Sequence, residues 1–71
     1  MIINLHEVYE TEGGMELICY EQTEKYSFLC PFTMKEDDES LVLDISKTFV
    51  YSNKVIENIE ENTAIETLIL T

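Results

Sequence analysis

The chain has 71 residues, enough for one domain with one modest core, and its 45% apolar content is that of a globular protein rather than a disordered one. Fifteen Asp and Glu stand against four Lys and no Arg, a net charge of −11. Such a charge repels nucleic acid and anionic membrane surfaces and attracts basic protein surfaces, and without arginine the chain lacks the forked donor usually used to recognise phosphate.

The N-terminal half predicts a three-stranded antiparallel meander. Ile2 to Tyr9 reads as the first strand, with Ile3, Leu5 and Tyr9 on its inner face. Glu10-Thr11-Glu12-Gly13-Gly14 is the clearest turn signal, because glycine takes positive φ at little steric cost. Met15 to Tyr20 reads as the second strand, Glu21 to Glu24 as a loop, and Lys25 to Cys30 as a third strand ended by Pro31. A register with Tyr20 opposite Lys25 gathers Met15, Leu17, Cys19, Tyr26, Phe28 and Cys30 on one apolar face. It also holds Cys19 and Cys30 too far apart along the strands for a disulfide.

Lys35 to Ser40 is the most polar stretch and reads as an exposed loop. Leu41 to Ile45 predicts a fourth strand, Ser46-Lys47-Thr48 a turn or bulge, and Phe49-Val50-Tyr51 a further strand. Ser52 or Asn53 is placed to cap a short helix running to Asn62, with Val55, Ile56 and Ile59 as its apolar stripe. The rival, a longer helix from Ser46, is disfavoured by the β-formers Thr48, Val50 and Tyr51. Ala64 to Thr71 reads as a C-terminal strand. The fold class expected is a β-rich α+β domain spanning residues 1–71: the meander, one or two further strands, one short helix at about 53–62 and the last strand.

Candidate chemistry is sparse. His6 is the only histidine and is placed on the less apolar face of the first strand, with no defined acid or nucleophile beside it. Cys19, Cys30 and His6 match no zinc-ligand spacing, and the two cysteines read as core residues. Glu36 to Glu39 lacks the glycine and terminal glutamate of a calcium-binding loop and reads as a solvated acidic run. Gly13-Gly14 has neither the lysine nor the helix start of a phosphate loop. No catalytic group, metal or cofactor is therefore expected. No signal peptide or membrane-length apolar run is read, which predicts a cytoplasmic protein with reduced thiols.

The function expected is a non-enzymatic, acidic protein-binding module. It would be an inhibitor or regulator that docks on a basic, nucleic-acid-binding protein and mimics nucleic acid, with no direct contact to nucleic acid or membrane. Its contact residues are placed at Glu36, Asp37, Asp38 and Glu39 and at Glu57, Glu60 and Glu61, with Tyr20 or Tyr51 adding exposed aromatic area. In size, charge and β-rich build the chain resembles the small acidic anti-restriction and anti-CRISPR proteins of phages. The alternative is a structural homo-oligomer assembled through Ile65, Leu68, Ile69 and Leu70 of the C-terminal strand, or a small-ligand-binding oligomer.

Overall fold

In the computed structural model the described residues are 1–35 and 40–59. They form an antiparallel sheet of five strands and one short helix, so the fold is β-rich with a minor helical part. The strands are β1 (Val8–Glu10), β2 (Glu16–Gln22), β3 (Tyr26–Met34), β4 (Leu41–Leu43) and β5 (Phe49–Ser52), and α1 covers Asn53–Ile56. β3 is the central strand. It pairs with β2 along one edge, and along the other with β5 near its start and β4 near its end. The predicted meander is therefore present as β1-β2-β3, while the expected C-terminal strand, 64–71, lies outside the described residues.

The first hairpin turns where the glycines predict. Thr11 N–H donates to Met15 O at 2.8 Å and Gly14 N–H to Thr11 O at 3.0 Å, and the Thr11 hydroxyl accepts from Met15 N–H at 3.0 Å. Gly14 has φ +84°, the left-handed residue that a tight turn followed by a one-residue bulge requires. The first strand is shorter than expected. Asn4 to Glu7 is a turn, closed by Glu7 N–H to Asn4 O at 3.2 Å, with His6 at φ 70° in its third position. His6 is therefore an exposed turn residue rather than a strand residue, and Leu5 is exposed while Ile3 is buried.

The register of β2 on β3 differs from the expected one. Leu17 lies opposite Pro31, Ile18 opposite Cys30 and Cys19 opposite Leu29; beyond an irregularity at Tyr20, Glu21 faces Phe28 and Gln22 faces Ser27. Two features cause the shift. The connecting turn is tighter than a four-residue loop, because Thr23 N–H donates to Tyr26 O at 2.8 Å while the Thr23 hydroxyl accepts from Tyr26 N–H at 3.0 Å. Tyr20 adds one unpaired residue, which moves each following side chain to the other face. Cys19 and Cys30 consequently sit on opposite faces, buried and free.

Pro31 does not end β3; the strand continues to Met34. In a strand a residue's N–H and C=O point to the same side, and Pro31 O accepts from Asp44 N–H at 2.9 Å. The missing donor of Pro31 therefore faces the gap between β5 and β4, where a 3-10 turn at Ile45–Lys47 interrupts the ladder and needs no partner from it. The longer helix from Ser46 is absent, and Phe49–Ser52 is strand.

One sheet face carries the core cluster of Leu17, Cys19, Leu29 and Tyr51, covered by Ile3 and by Ile56 of α1, with Met1, Tyr9, Phe49 and Ile59 packed around it. The helix stops after one turn and tightens, with Asn58 N–H donating to Val55 O and Ile59 N–H to Ile56 O. The expected helix end at 62 lies outside the described residues. The Met1 amino group donates to Ile56 O at 3.3 Å and to Ile59 O. Ser52 stands at the N-cap without a side-chain capping bond.

A polar network ties these parts together. Gln22 Nε2 donates to Ile3 O at 2.6 Å and to Ser27 Oγ at 2.9 Å. Ser27, fully buried, donates to Asn53 Oδ1 at 2.5 Å. Asn53 Nδ2 donates to Thr23 O at 3.0 Å and to Glu24 O at 3.3 Å, and Asn53 N–H to Lys25 O at 2.9 Å. Replacing Asn53 with Ala leaves the proton of the buried Ser27 hydroxyl without its acceptor and removes the amide that holds the Thr23 and Glu24 carbonyls of the turn. The expected loss is about 2–3 kcal/mol, seen as a lower denaturant midpoint at unchanged m-value; a loss below about 0.5 kcal/mol would contradict the network's role.

Candidate acidic interface

Six glutamates, Glu7 to Glu24, precede the first lysine, Lys25, so the β1-β2 hairpin carries no cation of its own. Glu10 and Glu16 are direct cross-strand partners, both exposed, and Glu12 is exposed on the turn that joins them. Opposed like charges in this position are destabilising. One step beyond the Leu17–Pro31 pair, Glu16 is level with Phe32, and Met34 pairs with Leu41. The hairpin turn at Glu12 and the close of the β3-β4 connection, where Lys35 N–H donates to Ser40 O at 2.9 Å, therefore lie at the same end of the sheet.

The expected contact residues Glu36, Asp37, Asp38 and Glu39 lie outside the described residues, bracketed by that Lys35–Ser40 bond. Glu60 and Glu61 also lie outside them, as do Ile65, Leu68, Ile69 and Leu70. Glu57 is exposed at the end of α1, which leaves β5 at the opposite end of the sheet, where Ser52 pairs with Tyr26. Glu10 and Glu16 were missed as a pair, although a turn centred on Gly13 already implies their pairing. The structure brings them, not Glu57, to the end bracketed by Lys35 and Ser40.

The second sheet face, away from the core cluster, carries Ile18, Phe28, Cys30 and Val50, with Phe32, Met34 and Leu41 toward the acidic end. Tyr20 lies across this face, its ring centroid 6.5 Å from that of Phe28. Thr48 donates its hydroxyl proton to Ile45 O at 2.5 Å, so at 2.8 Å the Tyr20 hydroxyl donates to Thr48 Oγ1. Tyr20 is thus half-buried and spent on a structural bond, and Tyr51 is 1% exposed in the core, so neither supplies the exposed aromatic surface expected of it. Tyr26 and Met34, at 39% and 63% exposure, are the more accessible large side chains of β3.

Chemically reactive groups are few. Among the described residues no group of three or more His, Cys, Asp or Glu side chains is arranged to hold a metal ion, and no helix is long and apolar enough to cross a membrane. No protein-family model, curated protein or solved structure matches the chain.

Burial pushes both thiols up. For Cys19 the desolvation outweighs hydrogen bonds from nearby backbone, and for Cys30 it outweighs a backbone hydrogen bond at Asp44, with the Asp44 carboxylate adding a smaller push in the same upward direction. An unfolded thiol releases its proton near the ordinary value of 9.0, below the folded one. The stabilisation is therefore full below that pH and is lost as pH rises through the raised folded values. Chemical denaturation across this alkaline window is expected to show stability falling with pH more steeply in the native sequence than in a Cys19→Ala/Cys30→Ala variant. Equal slopes would contradict thiol burial as the cause.

Proposed function

We propose that this protein is a non-enzymatic binding module that docks on a basic protein surface through the acidic end of its sheet, and that it acts as an inhibitor or regulator of a nucleic-acid-binding partner. One observation carries the reading: Glu10, Glu12 and Glu16 share a sheet end with the Lys35–Ser40 bracket of the acidic run 36–39. A row of carboxylates spaced along strands offers a basic groove much of what a phosphate backbone offers. Met34 and Leu41, exposed on the same face as Glu10 and Glu16, favour a protein partner, because an apolar centre with a charged rim is the anatomy of protein interfaces. Carboxylates kept opposite one another at a cost to folding are also consistent with selection for contact rather than stability.

The test pairs stability with capture. Glu16→Lys replaces the repulsion with Glu10 by attraction and is expected to raise stability by about 0.5 kcal/mol in denaturant titration. As bait in a host lysate, wild type is expected to retain a basic nucleic-acid-binding protein that high salt releases. The stabilised Glu16→Lys variant, and a second bait with Glu36 to Glu39 neutralised, should retain less of it. Equal, salt-insensitive recovery on all three baits would refute charge-driven docking at this end.

A further inference from the structure

The opposite end of the sheet has a different chemistry. A depression of about 320 Å³ is lined there by Glu24, Lys25, Tyr26, Ser52 and Lys54, a volume at the small end of the range for ligand sites. Two of the chain's four lysines thus meet in one place, on a molecule of net charge −11. Residues distant in sequence supply them: Lys25 stands on the β2-β3 turn and Lys54 on the first turn of α1. Asn53 joins the two supports, with its backbone N–H on Lys25 O and its amide on Thr23 O and Glu24 O. Among the described residues the ion pair is Lys47–Asp44, at 3.8 Å, and neither Lys25 nor Lys54 enters one. Tyr26 and Ser52 are cross-strand partners and so face the same side, which sets an exposed ring and a hydroxyl in the same depression that the two lysines line.

From this convergence we infer that the depression binds a small aromatic anion, with its oxyanion held by Lys25 and Lys54, a hydrogen bond available from the Ser52 hydroxyl, and its ring laid on Tyr26. Two point charges without a guanidinium fork recognise an oxyanion by charge rather than by planar geometry, so phosphate and carboxylate are both acceptable heads. Glu24, which also lines the depression, offsets one of the two lysine charges and so disfavours polyanions relative to a singly headed ligand. Stacking on Tyr26 supplies the apolar share of the contact that two solvent-exposed lysines cannot supply alone. This inference is independent of docking at the acidic end.

The experiment is an amide-shift titration of the isotopically labelled full chain with phenyl phosphate, benzoate and inorganic phosphate at low ionic strength. Saturable shifts confined to residues 24–26 and 52–54 are expected with at least one aromatic anion, and the tighter of the two identifies the head group. Inorganic phosphate should bind roughly tenfold more weakly, having nothing to stack. Lys25→Gln and Lys54→Gln should each weaken binding several-fold, Tyr26→Ala should erase the preference for the aromatic anions, and unchanged shifts elsewhere will report an intact fold. The inference is overturned by non-saturating or dispersed shifts with both aromatic anions, or by saturable binding that survives the Lys25→Gln/Lys54→Gln double variant.

Discussion

The hydrogen-bonded chain from Gln22 through Ser27 to Asn53 ties the sheet, the helix and the N-terminal segment into one arrangement. A sheet built from strands of three to nine residues has little core to spend on fixing the relative positions of its ends. Ser27 is buried opposite Tyr51, where an unsatisfied hydroxyl costs more than a hydrogen bond gains. Satisfying it through Asn53 fixes where β5 stops and α1 begins, and the same amide holds the turn that sets the β2-β3 register. Gln22 extends the chain to Ile3, so the N-terminal segment is laid over the core face in the one position that also meets Ile56. A few polar contacts therefore determine which residues reach which end of the sheet.

Much of the local structure was legible in the sequence. Gly13-Gly14 marks a hairpin because only a residue tolerant of positive φ closes it, and the structure places that demand on Gly14 alone. The β-formers of Phe49-Val50-Tyr51 and the break at Ser52-Asn53 likewise locate β5 and α1. Pairing was not legible. Leu17, Cys19 and Leu29 line one face while Ile18, Phe28 and Cys30 line the other, so two registers of opposite parity bury comparable apolar sets. Pattern alone cannot choose between them; the unpaired residue at Tyr20 and the tight Thr23 turn do. Pro31 misled for a related reason, since its missing donor matters only on the side where a partner strand lies, and here that side is a gap.

The candidate sites divide in the same way. Which residues are acidic is plain from composition, but which acidic residues meet depends on the sheet. Glu10 and Glu16 meet through β1-β2 pairing, and Glu57 is carried away from them by α1. Lys25 and Lys54 come together only through the Asn53 junction, and no spacing rule relates them. The resulting molecule is polarised. One end presents carboxylates around exposed Met34 and Leu41, and the other presents two lysines beside Tyr26. That polarity allows an anion-repelling protein to hold one anion-attracting spot, provided the two ends are kept apart by the length of β2, roughly 20 Å for its six steps.

The placement of the Glu10–Glu16 pair and the Lys25–Lys54 pair at opposite ends of the sheet holds the two sites apart, and paramagnetic relaxation tests it directly. A nitroxide attached at Glu12→Cys, in a background where the buried Cys19 and Cys30 are replaced by alanine, reports distance from the acidic turn to each backbone amide. Strong broadening of Lys35 and Ser40 with sharp signals from Lys25 and Lys54 is the result this topology requires. Broadening of Lys25 and Lys54 with Lys35 and Ser40 unaffected would contradict it, and with it both the acidic interface and the separation of the two sites.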